Sequence, residues 1–287
     1  MKHLYLVVIM ALLTGQLSAG DTRVASISLV KKGYNRTDTT VYAYYYIDGK
    51  MTSYSINKNS YKDSVVISYN NNSVNEEPWV FSSKMGNWKK KEPRYAVVKT
   101  FEGDKLAGLT SSSKIYKMEY KDGKIVQWTE DIKSDRPVYR YYFNYGADGK
   151  LENIESDRLS NGDWINMNSR YVRTYEGDKL IQVSWMNSSQ ETERYELVWD
   201  GDKLQEIKKY RFGNPDGTHL FYYNDQGNII REEIKNAKDE LLSSYIIEYE
   251  PGSGNDDIFF GVDSWYNYKL NAFMGIPTYE PHIDYRY

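Results

Sequence analysis

With 287 residues, 37 Lys and Arg against 40 Asp and Glu, and a net charge of −3, the chain lacks the basic surplus that nucleic acids or anionic membranes select. Cysteine is absent, which excludes disulfides, thiol nucleophiles, Cys-ligated zinc and a lipid-modified cysteine, so no lipoprotein is expected. The 29 Tyr, 8 Phe and 7 Trp, spread at strand spacing, argue against disorder.

Residues 1–20 read as a secretory signal peptide. Lys2 and His3 give a basic start, and Leu4 to Leu13 form an apolar stretch shorter than the about 20 residues that span a bilayer. Leu17-Ser18-Ala19 supplies small residues for cleavage. The remainder, 21–287, is expected to be a single domain in the periplasm or outside the cell, with no transmembrane span after signal removal.

From Asp21 to Pro93, Ser26–Val30 and Ser64–Tyr69 read as strands, and Glu76 to Glu92 as a longer insertion. One unit then recurs along the chain: aromatic, short Gly/Asp turn, Lys, aliphatic. Tyr175-Glu176-Gly177-Asp178-Lys179-Leu180 is its clearest copy, and Trp199–Leu204 and Phe101–Leu106 nearly repeat it. Tyr120–Ile125 and Tyr46–Met51 exchange Asp and Gly, and Tyr69–Val74 is a weaker, Asn-rich copy. Asp-Gly and Gly-Asp take the positive φ of type I′ or II′ hairpin turns. A two-residue loop at Gly177-Asp178 sets Glu176 opposite Lys179 and Tyr175 opposite Leu180. Tyr145–Leu151 and Tyr223–Ile229 are one residue longer and place Gly third, as a three-residue loop with a G1 bulge requires.

The strands leading into the turns alternate: Tyr116, Met118 and Tyr120 share one face of their strand, and so do Tyr195, Leu197 and Trp199 of theirs. After each turn an apolar residue recurs three places past the aliphatic: Leu109, Trp128, Ile154, Val183, Ile207. An odd offset changes face in a regular strand, so both faces are expected to carry apolar side chains. Turns at Asn187–Gln190 and Asn214–Gly217 join one hairpin to the next. The regular repeats run from about 94 to 250. Beyond Pro251–Gly254, Phe259, Val262, Tyr266, Leu270 and Phe273 recur at helical spacing, predicting one C-terminal helix within 256–276 packed on the sheet.

The expected fold is therefore all-β: an antiparallel meander of tandem β-hairpins forming a strongly curved sheet or open barrel, with that helix upon it. The aromatic–Asp-Gly–Lys–aliphatic copies resemble the YD (RHS-type) repeats of secreted bacterial proteins, as found in gut Bacteroides-type bacteria, over about residues 40–275. The resemblance implies such an architecture and no catalytic residues.

Three functional readings follow. The first is a non-catalytic binding or structural protein, for which a glycan or another envelope protein is the expected partner. Trp128 and Trp185, on the face opposite their hairpins' anchors, are the candidate ligand-stacking residues. The second is a polysaccharide hydrolase with carboxylates drawn from separate hairpins; the adjacent pair Glu232-Glu233 points to opposite faces and cannot serve together. The third is an envelope carrier or chaperone with an apolar concavity. No cofactor or metal is expected: the Asp/Gly turns lack the alternating oxygen ligands of a calcium loop, and only His219 and His282 lie beyond the N-terminal segment.

Overall fold

The computed structural model describes residues 22–32, 37–48, 50–58, 61–91, 97–103, 105–110, 114–132 and 136–251, and the expected signal peptide and C-terminal helix lie outside them. The chain forms β1 (Thr22–Lys32), β2 (Thr37–Ile47), β3 (Lys50–Lys58), β4 (Tyr61–Asn70), β5 (Ser73–Ser82) and β6 (Asn87–Lys90). It continues with β7 (Val97–Glu102), β8 (Lys105–Thr110), β9 (Lys114–Lys121), β10 (Lys124–Ile132), β11 (Arg136–Tyr145) and β12 (Leu151–Ser160). Then come β13 (Asp163–Glu176), β14 (Lys179–Asn187), β15 (Gln190–Asp200), β16 (Lys203–Arg211), β17 (Asn214–Tyr223), β18 (Ile229–Asn236) and β19 (Leu241–Pro251).

Neighbouring strands pair antiparallel throughout, and β1 pairs with both β2 and β19, so the sheet is a closed barrel rather than an open one. β6 and β7 lie end to end along β5, Lys90 opposite Trp79 and Val97 opposite Glu76. Among the described residues, nineteen strands therefore fill eighteen places. The segment expected to be an insertion instead contributes the second half of β5 and the short β6 to the wall.

The unit turns lie where expected. Glu176 is opposite Lys179 and Tyr175 opposite Leu180. Asp122 and Gly123 both have positive φ, 49° and 82°, as a type I′ turn demands. In the longer copies the third loop residues, Gly149 and Gly227, sit at φ 81° and 83°. The second connector is shifted: Arg211 faces Asn214, so the turn is Phe212-Gly213, and Asn214–Gly217 belong to β17 with a bulge at Asp216.

One feature overturns the expected change of face. In the β13–β14 hairpin Tyr175 faces Leu180 while Thr174 faces Gln182, which leaves Ile181 as a bulge. The same shift follows the aliphatic in the hairpins closed at Met51, Leu106, Ile125, Leu151, Leu204 and Ile229. A bulge consumes one residue, so the aliphatic and the apolar residue three places on share one face. Leu180 and Val183 are accordingly in one buried cluster, as are Ile125 and Trp128. Side chains converge inside a closed sheet and splay outside it, so this buried row is the inner one. The outer face carries charge pairs two residues apart along a strand, Arg194 with Glu196 at 3.0 Å on β15 and Arg231 with Glu233 at 3.5 Å on β18. A lipid-facing barrel wall would be apolar there. Among the described residues no helix is long and apolar enough to cross a membrane.

The aromatic and the Lys of a unit each reach a neighbouring unit. The aromatic donates to the carbonyl of the preceding unit's aliphatic: Tyr120 to Leu106 at 3.0 Å, Tyr145 to Ile125 at 3.0 Å, Tyr175 to Leu151 at 3.0 Å. Trp199 Nε1 reaches Leu180 at 2.8 Å, Tyr223 reaches Leu204 at 2.7 Å, Tyr249 reaches Ile229 at 2.8 Å and Tyr69 reaches Met51 at 2.8 Å. Phe101, with no hydroxyl, is the exception in the row. The Lys lies over the following unit's ring, Lys124 4.9 Å from the Tyr145 centroid and Lys203 5.4 Å from that of Tyr223. It also bonds that unit's turn, as Lys124 Nζ does with the Gly149 carbonyl at 2.9 Å. Burial of the Tyr145 phenol pushes its pKa up to about 12, which keeps it a donor well above neutral pH.

The barrel closes by the same rule. Tyr249 of β19 faces Val24 of β1, and a bulge follows Val24. Tyr46 donates to the Val24 carbonyl at 3.2 Å, Arg23 lies 4.4 Å from the Tyr46 centroid, and Arg23 pairs with Glu250 at 2.6 Å. Arg23 and Val24 thus stand as the Lys and aliphatic of a unit whose aromatic is Tyr249. The ninth unit is split between the two ends of the strand array.

Candidate binding face at one end of the barrel

All unit turns lie at one end, where the aromatic-to-carbonyl bonds stitch the wall. Above them, the second inner row contains Ile27, Tyr54, Leu109, Trp128, Ile154, Val183 and Ile207, all buried. Two positions in this row are Glu76 and Glu232, each 0% exposed. Glu76 is paired with buried Lys99 of β7. Glu232 Oε1 meets His219 Nδ1 at 2.7 Å, while its Oε2 has no hydrogen-bond partner. A buried carboxylate oxygen left bare costs free energy unless something else donates to it. Glu233, by contrast, faces outward and accepts from the Tyr222 hydroxyl at 2.9 Å.

Toward the opposite, far end, the inner face of β13–β17 becomes polar and accessible. Trp185 stacks on Tyr171, centroids 6.0 Å apart at 15°, and is 37% exposed. Register sets Glu193 beside Trp185, and Arg211 beside Glu193. The Tyr195 hydroxyl donates to Glu193 at 3.0 Å. Arg211 lies 3.7 Å from Glu193 and 3.5 Å from Asp216, and Lys209 pairs with Asp216 at 3.0 Å. On β16 Lys209 and Arg211 alternate with buried Ile207, and the contacts of these two cations with Asp216 and Glu193 put the four charges on one face with the aromatics.

The adjoining turn is strained. Phe212 sits at φ 49° and is 60% exposed. Equivalent far-end turns place Asn161, Ser188 or Asp239 in that region, small polar residues of which Asn and Asp adopt it most readily. A bulky side chain there costs about 1–2 kcal/mol, a cost that tends to mark functional positions. On the outside of the same rim, β13 bulges by three residues, Met167–Ser169, opposite Ser156 of β12. The bulge shapes a shallow groove of about 300 Å³ between Glu155, Asn166, Arg170 and Ser188.

Of the two tryptophans singled out by sequence, both are on the inner face, because of the bulge. Trp128 is 0% exposed, edge-on to Tyr116 and Tyr141 at 6.2 and 6.5 Å. Trp185 is in the far-end group. Glu193, Lys209, Arg211 and Asp216 had no sequence signal beyond ordinary strand charges; only Phe in an X-Gly turn could have drawn attention to their neighbourhood. Among the described residues no three His, Cys, Asp or Glu gather as a metal site would require.

The fold and this face define a closed hairpin-repeat barrel with one stitched and one polar end. No protein-family model and no curated protein matches the sequence. Among solved structures, it is similar to a porin-like protein from Bacteroides uniformis, with TM-score 0.42 and 11% identity over 79% of this chain and 97% of that one. A porin-like protein from Bacteroides vulgatus gives 0.37 and 13%, covering 80% and 100%. A LolA superfamily protein from Nitrosomonas europaea gives 0.25 and 8%, covering 85% and 90%. Likenesses this loose say nothing about what the chain binds.

Proposed function

We propose that the chain is a non-catalytic binding protein of the periplasm or cell exterior, secreted without a lipid anchor, whose ligand sits on the inner face at the far end of the barrel. The observation that carries this is the contrast along that face: closed, apolar and stitched at one end, and aromatic, charged and accessible at the other. The array of units is the kind of scaffold that the YD-type resemblance implies, and it supplies rigid strands for such a face. The charged outer wall supports a protein surrounded by water.

The test is a thermal-shift screen against saccharides, acyl lipids and peptides. One class is expected to raise the melting temperature. The shift should vanish in a Trp185→Ala/Arg211→Ala double variant and persist in an outer-face Lys117→Ala/Glu119→Ala control. No shift with any class, or a shift that survives the double variant, overturns the reading.

A further inference from the structure

Resting on that reading, the geometry points to a carbohydrate chain as the ligand of the far-end face. Trp185, flat upon Tyr171, offers a broad apolar plane of the kind that the C–H face of a sugar ring covers. Beside it, donors and acceptors alternate: Glu193, Arg211, Asp216 and Lys209, linked at 3.0–3.7 Å. Hydroxyl groups both donate and accept, so a polyhydroxylated ring uses both kinds at once. An acyl chain would use neither and would strip water from all four charges. A strongly charged peptide would favour one sign, whereas two cations and two anions stand here.

From β14 to β17 the face spans three strand spacings, about 14 Å, longer than one sugar ring. Deeper in, the bare Oε2 of Glu232, 0% exposed beside His219, calls for a donor from the ligand. It stands in a row whose other members are apolar apart from Glu76; Glu76, whose Oε2 is likewise bare, is paired with the buried cation Lys99, whereas the partner of Glu232 is a histidine. A sugar hydroxyl supplies that donor. Phe212, held exposed in the left-handed region, extends the aromatic rim where the chain would enter.

Titration calorimetry of the full chain with neutral gluco-, xylo- and chito-oligosaccharides is the test. Saturable binding to at least one series is expected, weakened tenfold or more by Trp185→Ala, little by Trp185→Phe, and several-fold by Glu232→Gln. Trp185 is partly exposed, so its Ala variant should keep the wild-type circular dichroism and melt. Absence of binding to all three series, or equal affinity in Trp185→Ala, overturns the inference. If acyl lipids or peptides alone shift the melt in the broader screen, the carbohydrate assignment fails while the binding reading stands.

Discussion

The two ends of the inner face are made by the same strands and yet obey different rules. At the stitched end the same contacts recur from unit to unit: aromatic to the preceding carbonyl, Lys to the following ring, aliphatic to aliphatic. At the far end the pattern lapses, and charges, a stacked tryptophan and a strained phenylalanine occupy positions that repetition does not dictate. Where consistency across levels breaks in a repeat, function or specificity is the usual reason. The contrast can be broken or sharpened by substitution.

The largest expected effect is between the two tryptophans. Trp128→Ala in the buried row should cost about 3–5 kcal/mol, the range for large-to-small core changes. Trp185→Ala should cost far less, since its ring is already accessible. Urea unfolding of the two variants measures the gap, and equal losses would contradict the division. Next, Lys99→Met should cost about 3–5 kcal/mol, because it leaves the fully buried Glu76 without its cation. Adding Glu76→Leu should restore most of that, since an apolar pair of similar volume replaces a buried ion pair at little loss.

Single stitches are smaller. Tyr175→Phe should lose about 1 kcal/mol, the net worth of one hydrogen bond. Phe212→Asn should gain about 1 kcal/mol by relieving the turn, and should weaken ligand binding at the same time; a gain in both would remove Phe212 from the site. The pH dependence follows from Tyr145. Its folded pKa lies near 12 and its unfolded one near 10, so the stitched form is fully favoured below pH 10. Stability should fall as pH rises from 10 toward 12, where the unfolded phenol ionises first. Alkaline melts should show this decline, and Tyr145→Phe should flatten part of it.

Much of the stitched end was legible in residues. Gly177-Asp178 named its turn, and Tyr175 and Leu180 named their pairing, because turn length sets register. The faces were misassigned, because a one-residue bulge is silent in composition and inverts every offset beyond it. Ile181 looks like any strand residue. Closure was illegible for a different reason: Arg23-Val24 and Tyr249-Glu250 form one unit only when brought together from opposite ends of the chain. In the far-end site, Trp185 was visible as an aromatic out of pattern. Glu193, Lys209, Arg211 and Asp216 were not, since alternating charges on a strand are what any solvated face would carry. Glu232 was rightly separated from Glu233 by strand alternation, but nothing local distinguishes a buried glutamate from a wet one.

The split ninth unit sets an order of events. Synthesis delivers β1 first, yet its outer edge has no mate until β19 has been made more than two hundred residues later. Throughout that interval a row of backbone donors and acceptors stays unsatisfied and ready to accept any extended segment. The last step in building the wall is thus a rendezvous of the oldest and youngest strands, and a molecule that misses it has two matching edges to offer to a second copy of itself.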